Sequence, residues 1–139
     1  MASILKVDTL TGVTTAGSIS VTGEGNSTTT NLQQGLNKSW MLLDPTTTST
    51  IKNSLNVTSY TDNSNGNMTM NIANDYSNDD FTVSGSLGNS NNSASSSLTM
   101  IRGYKWATGS LKFTCLYAAS GGTLSEWEDT SVNTFGDLA

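Results

Sequence analysis

Side chains able to do chemistry are scarce in this sequence, and the carboxylates are the richest group of them. The chain has 11 Asp and Glu. They gather twice, as Asp75, Asp79 and Asp80 within 74–80, and as Glu126, Glu128 and Asp129. Two carboxyl groups facing each other across a cleft are the machinery of glycoside hydrolysis, which needs no histidine. Both stretches have the composition of turns, however, and no aromatic-lined cleft is legible beside them, so they read as solvated loops. Histidine is absent altogether, which excludes a Ser-His-Asp triad, a Cys-His pair or a zincin centre within one chain. Cys115 is the single cysteine, so neither an internal disulfide nor a thiolate metal cluster can form. It sits in the apolar run 111–117 and reads as a buried, inert thiol. The segment 62–66 has a faint likeness to a calcium loop, but its glycine falls one place early and no glutamate closes it. The expectation is a protein that is not an enzyme and carries no cofactor and no metal.

The aromatic residues suggest binding instead. Rings stack on the C–H faces of sugars while nearby amides bond the hydroxyls, so Tyr104, Trp106 and Trp127 are candidate ligand contacts, with a surface polysaccharide as the ligand. Trp127 lies in a polar segment and is expected to be exposed, whereas Trp40 and Tyr117 are expected to fill the core. Net charge is −5 and the isoelectric point is near 4.3. Six dispersed Lys and Arg supply no basic patch for nucleic acid. Five Asn-x-Ser/Thr acceptors follow by chance from 21 serines, 22 threonines and 15 asparagines. The first eight residues lack the basic and apolar regions of a signal peptide. The longest apolar run, around 40–43, is too short for a membrane span, so no membrane insertion is expected.

Ser, Thr and Asn make up roughly two positions in five, and they compete with the backbone of a helix while Thr and Val suit a pleated sheet. The elements that must position any site are therefore strands. Residues 4–10 read as a short extended strand and 17–22 as an alternating one, closed by a turn at 23–25. Between them they offer too few apolar side chains to stand alone in water. Ile4, Leu5, Val7, Leu10, Ile19 and Val21 must then be buried against something else, either the rest of the chain or a neighbouring subunit, as an assembly arm would. A short helix is expected over 31–37, where Leu32 and Leu36 share a face. Strands follow at 39–43, 51–61, 67–73, 81–87, 98–103, 111–118 and 132–138, with an Asn65-Gly66 hairpin turn. A polar loop is expected at 88–97. The fold class is all-β. An extended N-terminal arm (1–30) and a short helix or linker (31–38) precede a small antiparallel β-sandwich (39–139), jelly-roll-like.

The opening Met1-Ala2-Ser3-Ile4-Leu5-Lys6-Val7-Asp8-Thr9-Leu10, the later Gly35-Leu36-Asn37-Lys38-Ser39-Trp40 and the segment 54–63 occur here together. In that combination the chain resembles the small fibre or tail-associated structural proteins of marine bacteriophages, over roughly residues 1–75. The resemblance implies location in the virion and contact with other virion proteins, of capsid or tail. It implies a non-enzymatic fibre or decoration subunit, a homotrimer anchored by its N-terminal arm. The alternative is the receptor-binding, carbohydrate-binding module of a tail fibre.

Overall fold

After the Asn65-Gly66 turn, Met68, Met70 and Ile72 recur at every second position, and a strand places such residues on one face. That face belongs to the hydrophobic core, where all three are buried. The computed structural model describes residues 4–12, 19–23, 28–46, 50–88, 99–117 and 122–139, with Gln33, Gln34 and Lys105 described by backbone alone. Two compact units succeed each other, Met1–Leu36 and Asn37–Ala139.

In the first unit, β1 (Ser20–Thr22) and β2 (Thr29–Asn31) form a two-stranded antiparallel ladder. The Gly23 amide donates to the Thr28 carbonyl and the Leu32 amide to the Ile19 carbonyl. A single helical turn, α1 (Leu32–Gly35), follows. It is shorter than the helix expected at 31–37, because four residues barely offset the cost of nucleation. The strand expected at 4–10 does not form: residues 4–12 carry no strand. A strand needs a partner for its amides and carbonyls, and nothing described in the chain supplies one.

The second unit is a sandwich of two antiparallel sheets, as expected for an all-β chain. Its first sheet has the order β4-β3-β11-β7, formed by β3 (Ser39–Asp44), β4 (Thr50–Leu55), β7 (Thr82–Gly88) and β11 (Asp129–Phe135). The second contains β5 (Val57–Ser64), β6 (Asn67–Ile72), β8 (Thr99–Ala107), β9 (Ser110–Tyr117) and the short β10 (Thr123–Leu124). Its order is β5-β6-β9-β8, and β10 pairs with the end of β9 that β6 leaves free. Three sequential pairs, β3–β4, β5–β6 and β8–β9, are hairpins within a sheet. The connectivity therefore differs from the doubled Greek key of a jelly roll.

One core lies between the sheets. Met41, Leu43 and Val132 enter it from the first, and Met68, Met70, Ile72, Leu111, Phe113 and Cys115 from the second. Gly85 of β7 leaves room for Ile101 of β8, whose Cδ1 would lie 2.8 Å from a Cβ at that position. The continuous strand expected over 51–61 is broken at Asn56, the one non-glycine residue with positive φ (55°) among those described. This left-handed residue turns the chain from one sheet to the other, and asparagine tolerates that conformation better than most. Asn74 holds it there. Its amide and its Nδ2 both donate to Asn56 Oδ1 (2.7 and 2.9 Å), while Asn56 Nδ2 donates to the Asn74 carbonyl (3.1 Å).

A second buried feature is polar. Tyr76 is 1% exposed and stacks on Phe81, with centroids 4.3 Å apart. Its hydroxyl lies 2.5 Å from Thr134 Oγ1 and 3.4 Å from Ser39 Oγ. Ser39 and Thr134 hydroxyls bond each other, and Thr134 Oγ1 also donates to the Ser39 carbonyl (3.2 Å). Tyr76 also bridges to Leu138, and the Ala139 amide donates to Asp75. The end of the chain is thereby fastened beside β11. The polar loop expected at 88–97 falls, beyond Gly88, outside the described residues.

Candidate functional site

Chemistry-bearing residues occupy three places. The first is the N-terminal unit, where Ile4 and Leu5 are 78% and 80% exposed, Val7, Leu10 and Val21 are more than half exposed, and Ile19 is half-buried. Among the described residues of this unit none is fully buried.

The second place is the end of the sandwich where β11 begins. A cavity of about 220 Å³ is lined there by Thr46, Ser125, Glu126, Trp127 and Glu128. This is smaller than the usual ligand site of about 300–1,000 Å³. Trp127 is half-buried rather than exposed, because its ring packs against the core and lies 6.4 Å from Tyr117. Its Nε1 is shielded without an acceptor. Close by, Lys52 Nζ donates to Asp129 Oδ1 (2.7 Å) and to the Glu128 carbonyl (2.9 Å), and lies 3.8 Å from Asp44 Oδ2. A bulge opposite Leu42 and Leu43 makes Lys52 the extra residue of β4, and its side chain reaches Asp44 on β3 and Asp129 on β11 beyond it. The hydrogen bond to Asp129 raises the Lys52 pKa above its ordinary value. Asp44 Oδ1 meanwhile accepts from the Thr46 amide and hydroxyl. Glu126 and Glu128 are separated from Asp79 and Asp80 by the length of β11, about 20 Å at strand rise. Among the described residues no group of three or more His, Cys, Asp or Glu could hold a metal.

The third place is the outer face of the second sheet. Because Met68, Met70, Leu111 and Phe113 point inward, Asn67, Thr69, Lys112 and Thr114 fall on the opposite face. Tyr104 is the extra residue of a bulge between Gly103 and Lys105. It is 40% exposed, and its hydroxyl donates to Asn67 Oδ1 at 2.8 Å. Trp106, two residues on, points the other way. A Cβ on Gly103 would lie 3.1 Å from its Cζ2, so that glycine makes room for the indole against the core. The three proposed ligand contacts therefore do not converge: Tyr104 is on the outer face, Trp106 between the sheets, and Trp127 at one end.

Trp40 and Tyr117, expected in the core, are both half-buried. Trp40 lies opposite Leu55 and Asn133 on the outer face of the first sheet, because Ser39, Met41 and Leu43 take the inner one. Cys115 is buried as expected, and desolvation pushes its thiol up to about 12. Three of the six cations dispersed in sequence share one strand pair. Lys105 and Lys112 are register partners, and Arg102 faces Thr114. The Thr108-Gly109 turn is the sequence signal for this, since folding the chain about it aligns 105 with 112.

No protein-family model, curated protein or solved structure matches this chain.

Proposed function

We propose that the chain is a non-enzymatic structural subunit of a bacteriophage particle, a fibre or decoration protein located in the virion. Residues 1–30 anchor it to another virion protein of capsid or tail, and the β-domain is carried outward. The observation that supports this reading is the contrast between the two units. The sandwich buries its own apolar face, whereas Ile4, Leu5, Val7 and Leu10 remain largely exposed. Each such side chain gains about 1.5–3 kcal/mol when buried, so an arm carrying four of them is suited to docking on a partner. The virion setting rests on the resemblance over residues 1–75. Assembly as a homotrimer belongs to the same proposal, and three arms per particle site would multiply a modest individual affinity.

Deleting residues 2–25 tests the anchor. The shortened protein is expected to keep the near-ultraviolet circular dichroism of a packed sandwich and to be missing from purified particles. Normal incorporation of the shortened protein would refute anchoring by the arm. Sedimentation equilibrium of the full chain tests the trimer, and a monomer at micromolar concentration would refute it.

A further inference from the structure

From the outer face of the second sheet we infer that this protein binds an acidic polysaccharide, one bearing carboxylate or sulfate groups. Strands β5, β6, β8 and β9 carry three of the chain's six cations, Arg102, Lys105 and Lys112, against one carboxylate, Asp62 on edge strand β5. Every other carboxylate lies outside these strands. A chain of net charge −5 therefore gathers half its positive charge on one strand pair.

Two of those cations, Arg102 and Lys112, are also available. The ion pairs among the described residues are those of Lys52 with Asp44 and Asp129. Arg102 is exposed and Lys112 half-buried, and neither makes an ion pair. A guanidinium or ammonium with no internal carboxylate can give its charge-assisted hydrogen bonds to a ligand.

The surroundings favour a sugar as the carrier of the negative charge. Tyr104 offers a partly exposed ring whose orientation is fixed by Asn67. Beside it the face is covered with amides and hydroxyls held in place by one another. Asn71 Nδ2 donates to Ser59 Oγ (3.0 Å), and Asn63 Nδ2 donates to Thr69 Oγ1 (2.9 Å). Such groups exchange hydrogen bonds with sugar hydroxyls at little reorganisation cost. Nucleic acid fits less well, because two or three phosphate contacts on an acidic protein give weak, salt-labile binding.

The anchoring reading and this face are independent, since they use different units of the chain. Biolayer interferometry of the full-length protein tests the inference with alginate and carrageenan as acidic probes and dextran as the neutral one. A single-stranded DNA oligonucleotide and vesicles of phosphatidylcholine with 30% phosphatidylglycerol serve as non-glycan polyanions. The expected result is binding to at least one acidic polysaccharide, with none to dextran, DNA or vesicles. The Arg102→Gln/Lys112→Gln variant should lose about tenfold or more in affinity, the scale of one charge-assisted hydrogen bond. Tyr104→Ala should also weaken binding, while Tyr104→Phe keeps the ring and most of the affinity. A Lys6→Gln/Lys38→Gln variant removes the same charge elsewhere and should bind like the wild type. Equal loss in that control, undiminished binding by the Arg102/Lys112 variant, or equal binding to DNA or vesicles would overturn the inference. So would absence of binding to both acidic probes.

Discussion

Replacing Thr134 with valine removes the centre of the buried hydroxyl network while keeping its volume. In the native protein the Thr134 hydroxyl donates to the Ser39 carbonyl and is bonded to the hydroxyls of both Ser39 and Tyr76. All three residues are essentially unexposed. Without Thr134 Oγ1, those two hydroxyls retain only each other, at 3.4 Å. One polar group is then left poorly satisfied in the core, and Thr134→Val should cost about 2–3 kcal/mol. Tyr76→Phe, by contrast, leaves Ser39 and Thr134 paired and the stack on Phe81 intact, so it should cost only about 1 kcal/mol. The combination carries the sharper prediction. In the Thr134→Val background, Tyr76→Phe strips the buried Ser39 hydroxyl of its last hydroxyl partner, so its cost should rise from about 1 to about 2 kcal/mol. Urea unfolding of the four proteins, fitted with a common slope, measures the cycle. Additivity within about 0.5 kcal/mol would show that the three hydroxyls do not act as a unit.

Two further outcomes follow from single residues. Cys115 should resist maleimide at pH 8 in the folded protein and react only on unfolding, because its thiol stays protonated up to about 12. Its folded-state pKa lies above the unfolded value near 9.0, so the unfolded chain binds fewer protons between these pH values and stability falls as pH rises through that window. Cys115→Ala should remove this component of the slope, at most about 1.4 kcal/mol per pH unit, and an unchanged slope on chemical denaturation would refute the assignment. At the sheet crossing, Asn56→Ala should cost more than Asn56→Gly by about 1–2 kcal/mol, the strain of a left-handed alanine. Equal losses by thermal unfolding would show that the three bonds to Asn74, and not the backbone, carry the effect.

Much of the sandwich was legible, and the failures have specific causes. Met68, Met70 and Ile72 could take only one phase, and Asn65-Gly66 marked their hairpin, so β5–β6 was readable. The run Trp40-Met41-Leu42-Leu43 has no phase of its own, since both alternate sets are apolar. Its inner face was decided by β11, where Thr130, Val132 and Thr134 turn toward the core. Trp106 and Tyr104 are both expected as ligand contacts, but residues two apart share a face only in a regular strand. The bulge at Tyr104 sends them to opposite sides. The break at Asn56 was invisible to hydrophobic periodicity because it depends on a backbone angle and on a partner 18 positions away. The basic face was missed because Arg102, Lys105 and Lys112 are neighbours only through the antiparallel register.

The place where the arm joins the sandwich has a mechanical consequence. Residues 37 and 38 lead directly into β3, which is an interior strand with β4 on one side and β11 on the other. The Lys38 amide is already bonded to the Thr134 carbonyl, and the buried Ser39–Thr134 contact follows at once. If the arm anchors the protein as proposed, a pull on it reaches the sandwich at a strand held by two ladders and not at an edge. An edge strand would instead peel away one hydrogen bond at a time. On that proposal, the strand at which the tether begins is one that cannot leave without breaking both of its ladders.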